Sequence, residues 1–260
     1  MSSNFILLII LFILLVAIGG KRGFKTFIST FINFILLFMM IILISKKYNS
    51  IKVTVIFSIV IVAFTLFFVN GINKKTLSAL LSVSFAMIIT LLITYSIGIN
   101  AKLQGFSQEE TEAFSHLSTD IQLDFIKIFT VQVFIGLLGA LIDVSIGISS
   151  SMNEIHKNNP KIHTRALITS GMNIGKDVIG TMTNTLLFAF IGGFLSLAIY
   201  LSKFEYSFST LINNKIICSE IFQILCSGIG IVLIVPITTY ITSKILNLSF
   251  RKPKNIVKKT

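Results

Sequence analysis

Apolar residues fill most of this chain in long runs, and charged residues interrupt those runs only briefly. A helix of about 20 apolar residues is long enough to cross the hydrocarbon core of a lipid bilayer. Applied along the chain, this length predicts seven spans, at residues 4–20, 27–45, 51–70, 77–99, 125–150, 177–201 and 217–243. The pattern therefore predicts an all-α fold, a polytopic membrane bundle of about seven transmembrane helices.

The polar stretches between the spans divide the chain into four predicted parts. We expect residues 1–100 to form a four-helix membrane scaffold with short connections, and residues 101–124 to form an acidic external loop. Residues 125–245 should form a core of three polar spans, which includes a cytoplasmic loop at 151–176. A basic cytoplasmic tail is predicted at 246–260.

The composition favours a membrane protein over a soluble one. Hydrophobic residues make up 54% of the chain, charged residues 12%, and the mean hydropathy is +0.91, whereas soluble domains carry about 25% charged residues. A net charge of +12 would suggest a nucleic-acid partner for a soluble protein. Here the basic residues lie between apolar runs and in the tail, where they set topology. We therefore expect the lipid bilayer as partner, no nucleic acid, and a multi-pass protein of the cell membrane.

Small and polar residues form one face of the fifth span. They recur at steps of three and four, which places them on the same side of a helix: Gly136, Gly139, Ala140, Asp143, Gly147, Ser150, Ser151 and Glu154. Small residues let a neighbouring helix approach closely, so the three glycines predict a packing strip with Asp143 at its middle. An ionised Asp near a bilayer centre costs about 2.5–3.5 kcal/mol. Such a residue persists when it is paired, protonated or hydrated.

The sixth span carries a second polar face, made by Asp177, Gly180, Thr181, Asn184, Thr185 and Phe188. Asp143 and Asn184 each lie about 10 Å from the cytoplasmic end of their spans, so we expect them to face each other. The predicted site for a small solute or ion comprises Asp143, Asp177, Thr181, Asn184, Thr185 and Glu154. The alternative is that the Asn and Thr side chains only link helices, at about 0.6 kcal/mol each.

Three further residues predict local geometry within the last two spans. Gly192 and Gly193 add two packing positions to the sixth span. Pro236 lies deep inside the seventh span and should kink that helix, because proline cannot make the helical N–H bond.

Residue patterns for catalysis or metal binding do not occur. Intramembrane aspartyl proteases need glycine three positions and one position before the second Asp, but Ile174 and Lys176 precede Asp177 here. The phosphate-binding loop of ATP-driven motors is also lacking. Glu154 and the nearby histidines do not have a usual zinc spacing. We therefore expect no enzymatic activity, no cofactor and no metal.

Three motifs resemble the YibE/F-like membrane proteins of bacteria. They read GLLGALIDVSIGISSSMNEI, SGMNIGKDVIGTMTNTLLFAFIGG and SEIFQILCSGIGIVLIVPITTYI, and the resemblance covers about residues 80–245. It implies a multi-span membrane protein of the permease type. The residues that match the family pattern are Gly136, Gly139, Asp143, Ser149, Glu154, Gly171, Asn173, Gly175, Asp177, Gly180, Thr181, Asn184, Thr185, Gly192, Gly193 and Pro236.

Two functions from different classes remain open at this point. The first is a transporter or permease whose path for a small solute or ion passes Asp143 and Asn184. The second is a structural or assembly subunit of a membrane complex, whose glycine strip is an interface between helices. The expected protein partner is another copy of the chain or a second YibE/F-like subunit.

The lysines and arginines predict the orientation of the bundle. With the C-terminus in the cytoplasm, fifteen of them lie on the cytoplasmic side, six lie outside and Lys127 begins a span. Cytoplasmic loops carry the excess of basic residues, so we predict an external N-terminus and a cytoplasmic C-terminus. A reporter enzyme that works only in the cytoplasm should therefore be active when fused after Thr260. Activity there of a reporter that works only outside the cytoplasm would reverse the orientation.

Overall fold

The computed structural model describes residues 3–101, 125–202 and 215–247. They form α1 (Ser3–Ser45), α2 (Ser50–Asn70), α3 (Lys74–Ala101), α4 (Phe125–Asn158), α5 (Thr164–Ser202) and α6 (Lys215–Asn247). The described residues contain no strand, which confirms the all-α prediction. Apart from their helical end residues, the predicted acidic loop and basic tail lie outside the described ranges.

The first helix reverses direction at Gly20. This residue has φ 53° and ψ −132°, a conformation that glycine adopts without steric cost. The rings of Phe12 and Phe27 are 4.7 Å apart, whereas fifteen residues of straight helix would separate them by about 22 Å. A Cβ at Gly23 would collide with the carbonyl group of Leu15, so the arms also need glycine where they first meet. The two arms of α1 therefore fold back on each other.

Among the described residues, five helices are long and apolar enough to cross a membrane, judged by length and composition: α1, α2, α3, α4 and α6. This count takes α1 as one helix. The predicted number of seven requires each arm of α1 and also α5 to cross, and that number remains a prediction together with the orientation. Large apolar side chains of α1 are exposed, such as Leu7 at 63% and Ile18 at 86%, and such a surface suits contact with lipid.

The two longest polar helices extend beyond the predicted spans. α4 continues to Asn158 and α5 begins at Thr164, so the connection at 159–163 replaces the predicted loop at 151–176. Apolar runs report only the part of a helix inside the bilayer, and polar residues continue these helices outside it. Pro160 marks the break, since the residue before proline is disfavoured in the helical conformation.

α4 lies at the centre of the bundle. It packs against α2, α3, α5 and α6, while α1 packs on α2 and α5 packs on α4 and α6. α3 has more extensive contacts with α4 and α6 than with α2. One continuous core includes Val62 and Leu66 of α2, Val83 of α3, Leu141 of α4 and Ile231 of α6.

Several connections meet at one end of the bundle. Arg22 from the α1 reversal, Asn70 and Lys74 beside the α2–α3 connection, and Lys157 from the end of α4 line one cavity. We call this the basic end. Seven consecutive segments that alternate in direction would bring these three connections to the same side, as the structure does.

Candidate functional site

One face of α4 stays open although this helix is the most buried of the five. The opposite arc is packed into the core, with Leu137, Leu141 and Val144 each about 1% exposed. We call the open face the α4 strip; its members, all exposed, are Gln132, Gly136, Gly139, Asp143, Gly147 and Glu154. Asp143 therefore lies near the midpoint of an exposed strip that runs along a central helix.

The α4 strip narrows at the end away from the basic end. Gln132 donates a hydrogen bond from Nε2 to Oε1 of Gln223 on α6, over 3.3 Å. A Cβ on Gly136 would lie 2.9 Å from Nε2 of Gln223 and 3.6 Å from Cζ of Phe190 on α5. Gly136 is thus the predicted packing glycine at which neighbouring helices do approach closely.

The other predicted packing glycines are not close contacts within one chain. Among the described residues, no neighbouring atom comes within 4 Å of a Cβ built at any of them: Gly139, Gly147, Gly180, Gly192 and Gly193. The reason is that α4 and α5 turn their bulky aliphatic arcs toward the core and their small residues outward. This corrects the expectation that the small-residue faces meet inside the chain.

Close approach occurs at glycines that periodicity alone did not single out. A Cβ on Gly171 would lie 2.6 Å from Sδ of Met152, and one on Gly230 would lie 2.8 Å from the methyl groups of Leu137. A Cβ on Gly175 would collide with Val235, the residue before Pro236. Gly171 and Gly175 are four residues apart, a spacing of small residues that could have indicated this helix contact.

The polar face of α5 points away from α4 and α6. Val178, Met182 and Leu186 pack against the core. At 100° per residue, Asp177, Gly180 and Asn184 fall on the other side of the helix, whereas Thr181 and Thr185 lie toward the edges of the packed arc. All five residues are exposed. Asp143 and Asn184 therefore do not face each other within one chain, since apolar side chains occupy the packed face of α5.

Asp143 and the α5 face nevertheless share a depth. α4 and α5 run antiparallel, because Gly136 lies beside Phe190 and Gly171 beside Met152. This register places Asp143 level with residues 180–183, so Asn184 is within about one helical turn of the same level. The predicted common depth agrees with this register, although the predicted contact does not form.

Hydroxyl groups on the α5 face bond to their own helix. Thr181 donates from Oγ1 to the carbonyl of Val178 over 3.0 Å, and Thr185 donates to the carbonyl of Thr181 over 2.8 Å. Their oxygens keep lone pairs that can accept from a ligand or another protein. Within the described ranges, the side chains of Asp177 and Asn184 have no hydrogen-bond or ion-pair partner.

Glu154 lies apart from Asp143 on the same strip. Eleven residues of helix separate them, which is about 16 Å. Its carboxylate is 3.8 Å from Nζ of Lys157, and both side chains are about two-thirds exposed. Exposed pairs of this kind contribute little to stability, so Glu154 belongs to the solvent-facing part of the basic end.

A group of buried hydroxyls on α6 was not among the predicted site residues. Ser227, Thr238, Thr239 and Thr242 are buried, and their oxygens lack a hydrogen-bond partner in the described part of the chain. Thr183 of α5 is half-buried, and its hydroxyl oxygen is likewise buried without a partner among the described residues. A buried hydroxyl without a partner costs about 1–3 kcal/mol, so such groups favour water or solute between helices. The signal was the recurrence of Ser and Thr within an apolar span.

Pro236 does not interrupt α6, which runs as one helix to Asn247. Its ring removes the N–H that would bond to the carbonyl of Val232, and the kink remains a prediction. Among the described residues, no group of three or more His, Cys, Asp or Glu side chains is placed to hold a metal ion.

A match to a known protein family identifies the family of this chain. The family model described as YibE/F-like protein matches residues 7–248. The chain belongs to the YibE/F-like family. The match therefore includes both arms of α1, whereas the three motifs resemble the family only over about residues 80–245. Together with five apolar helices, it identifies a membrane protein. No curated protein and no solved structure matches the chain.

The two classes of glycine in α5 should respond differently to a methyl group. Gly175→Ala forces a Cβ into Val235, and overpacking of this kind costs about 1–3 kcal/mol. Its melting temperature in detergent should fall by about 2–4 °C for each kcal/mol lost. Gly180→Ala is the matched control, because a Cβ there meets nothing within 4 Å. Equal destabilisation by both changes would contradict the orientation of α5 described above.

Proposed function

We propose that this YibE/F-like protein is a permease of the cell membrane, whose path for a small solute or ion passes Asp143. The observation that carries the proposal is the exposure of this acid at the midpoint of the α4 strip. On a peripheral helix an exposed acid would carry little meaning. On the most buried helix it indicates a groove that the bundle leaves open. The proposal assigns seven spans and no enzymatic activity to the chain.

The energy of the bilayer supports a wet or occupied groove. Burying an ionised Asp in hydrocarbon costs several kcal/mol, and intramembrane acids therefore face cavities, ions or partner groups. Gly139 and Gly147 flank Asp143 on the strip and leave space beside it, since a Cβ built at either glycine would meet no neighbouring atom of the described residues within 4 Å. A small solute or ion fits this space better than a lipid chain does, because the carboxylate needs a polar or charged neighbour.

The polar face of α5 extends the proposed site across a subunit boundary. Its Asp177 and Asn184 have no partner within the described ranges, and lipid cannot satisfy them. We propose that a second copy of the chain, or a second YibE/F-like subunit, covers this face. A two-fold axis along the membrane normal preserves depth, so Asp143 of one copy would meet the level of residues 180–185 in the other.

The second candidate function is a structural or assembly subunit without transport. The specific observation in its favour is that the whole α5 face, and not only one residue, is exposed in the described part of the chain. A subunit whose purpose is assembly needs such a face and does not need the charge of Asp143. The two functions therefore differ in what the loss of that charge should do.

Asp143→Asn should abolish transport and leave the fold intact. The amide keeps the size and hydrogen bonding of the side chain but removes the charge that holds an ion or proton. Uptake of labelled ions and small solutes into vesicles containing the purified protein should drop at least about tenfold, as expected for the loss of one charged interaction. Expression level and melting temperature should stay near those of the wild type.

Asp143→Glu is the matched variant, because it keeps the carboxylate on a side chain one methylene longer. It should retain part of the uptake that Asp143→Asn loses. Full uptake by Asp143→Asn would remove Asp143 from the path. The structural-subunit function would be favoured by two results together. The wild type would take up no tested solute, and Asp143→Asn would assemble in the membrane as the wild type does.

Cysteines at Gly147 and Gly180 should crosslink between two chains. Both positions are exposed and lie within about one turn of the same depth, but on faces that do not meet in one chain. In a background lacking Cys218 and Cys226, mild oxidation of Gly147→Cys/Gly180→Cys should give a dimer on non-reducing gels.

A pair on surfaces that we assign to lipid serves as the control for random collision. Leu14 is 52% exposed and Leu81 is 47% exposed, and both lie about 9–10 Å from the basic end. Leu14→Cys/Leu81→Cys should give little dimer under the same conditions. An equal dimer yield from this control, or a disulfide confined to one chain in the test pair, would contradict the proposed subunit contact.

A further inference from the structure

A polar cavity of about 310 Å³ lies at the basic end, separate from Asp143. Three distant parts of the chain line it: the α1 reversal, the α2–α3 connection and the last turns of α4. The lining residues are Arg22, Asn70, Asn73, Lys74, Lys75, Asn153 and Lys157. Four cationic side chains and three amides therefore converge on one space.

Few carboxylates offset these cations. Glu154 approaches Lys157 at 3.8 Å, on a surface where both side chains are about two-thirds exposed. Within the described ranges, Arg22, Lys74 and Lys75 have no ion-pair partner within 4.0 Å. Like charges gathered around a cavity repel one another, so the arrangement favours an anion between them.

The amides and the α3 N-terminus add neutral donors. Asn73 donates from Nδ2 to the carbonyl of Asn70 over 2.9 Å, whereas the side-chain amides of Asn70 and Asn153 make no hydrogen bond within the described ranges. α3 begins at Lys74, beside the cavity, and the first N–H groups of a helix attract anions. Asn70, Lys75 and Asn153 are half-buried and Arg22, Lys74 and Lys157 are exposed, so the cavity has a partly enclosed base and a charged, accessible edge.

Topology alone does not account for this cavity. The positive-inside rule requires basic residues in cytoplasmic connections but does not require them to surround a common space. Lys161 and Arg165 satisfy that rule at the same end, and neither lines the cavity. The structure thus separates cations that only mark the membrane side from cations that share a site.

We propose that this cavity binds a phosphate group, carried by the headgroup of an anionic phospholipid or by a free phosphate compound. Arginine and lysine bind phosphate oxygens through charge-assisted hydrogen bonds, and the amides can donate further bonds to the same group. A position at the ends of membrane helices suits a headgroup, because basic pockets there bind anionic lipids. The volume of the cavity also admits a soluble phosphate ester, so the two sources are distinguished by experiment.

The test compares two double variants with equal charge loss at the basic end. Arg22→Gln/Lys75→Gln removes one arginine and one lysine from the cavity, and Arg165→Gln/Lys161→Gln removes the same pair outside it. Each full-length protein is placed in nanodiscs of phosphatidylcholine, with or without phosphatidylglycerol, and its melting temperature is measured. In a second arm, inorganic phosphate and pyrophosphate are titrated against the protein in neutral detergent at fixed ionic strength.

We call Arg22→Gln/Lys75→Gln the cavity variant and Arg165→Gln/Lys161→Gln the outer variant. If phosphatidylglycerol stabilises the outer variant but not the cavity variant, the lipid headgroup is supported as the ligand. The same contrast with phosphate or pyrophosphate in detergent supports the free compound, and the apparent Kd of the cavity variant should rise about tenfold or more. Asn153→Leu removes an amide of the cavity but no charge. It should also weaken the stabilisation by the phosphate source, and this result would show that the loss is not due to net charge alone. Equal behaviour of the two double variants, or no effect of any phosphate source on the wild type, would overturn the proposal.

Discussion

The packing of the aliphatic arc of α4 decides where the polar residues of the whole protein lie. Leu137, Leu141 and Val144 are buried against the neighbouring helices, so the face that carries Asp143 stays outside the core. Lipid tails are as apolar as leucine, and helices in a membrane therefore associate by shape and van der Waals contact more than by a hydrophobic driving force. Gly230 contributes to this shape, since any side chain there would press on Leu137.

The packing of α5 through its apolar face leaves its polar residues exposed. Gly171 and Gly175 bring α5 close to α4 and α6, and Val178 and Met182 fill the contact. The outward residues that include Asn184 are then exposed within the described part of the chain. An unsatisfied polar group in hydrocarbon costs several kcal/mol, which is why the proposed function places solute or another subunit at this surface.

The lengths of apolar runs predicted the class of fold and the reversal near Gly20, where Lys21 and Arg22 interrupt the first run. They could not predict helix ends such as Asn158, because a helix continues through polar residues once it leaves the bilayer. Periodicity placed Gly139, Asp143 and Gly147 together on one side of α4, and the structure leaves all three exposed. It assigned Ala140 to the same side although that residue is buried, and it did not show which face is packed. Small residues can line a contact or an open groove. Only the shapes of neighbouring helices decide between these, and a single sequence does not contain that geometry in readable form.

α4 carries both of the charged features that we propose to be functional, yet they act independently. Asp143 and Lys157 are fourteen residues apart, about 21 Å along the helix, and Glu154 stands between them beside Lys157. The cavity cations lie at the solvent-facing basic end, where salt screens the field of exposed charges within about 8–10 Å. The cavity cations therefore have little influence on an ion held at Asp143, and an anion in the cavity need not compete with it. A phosphate site at the basic end and a solute path along the α4 strip can thus exist in one chain without opposing each other, because the helix that joins them also keeps them apart.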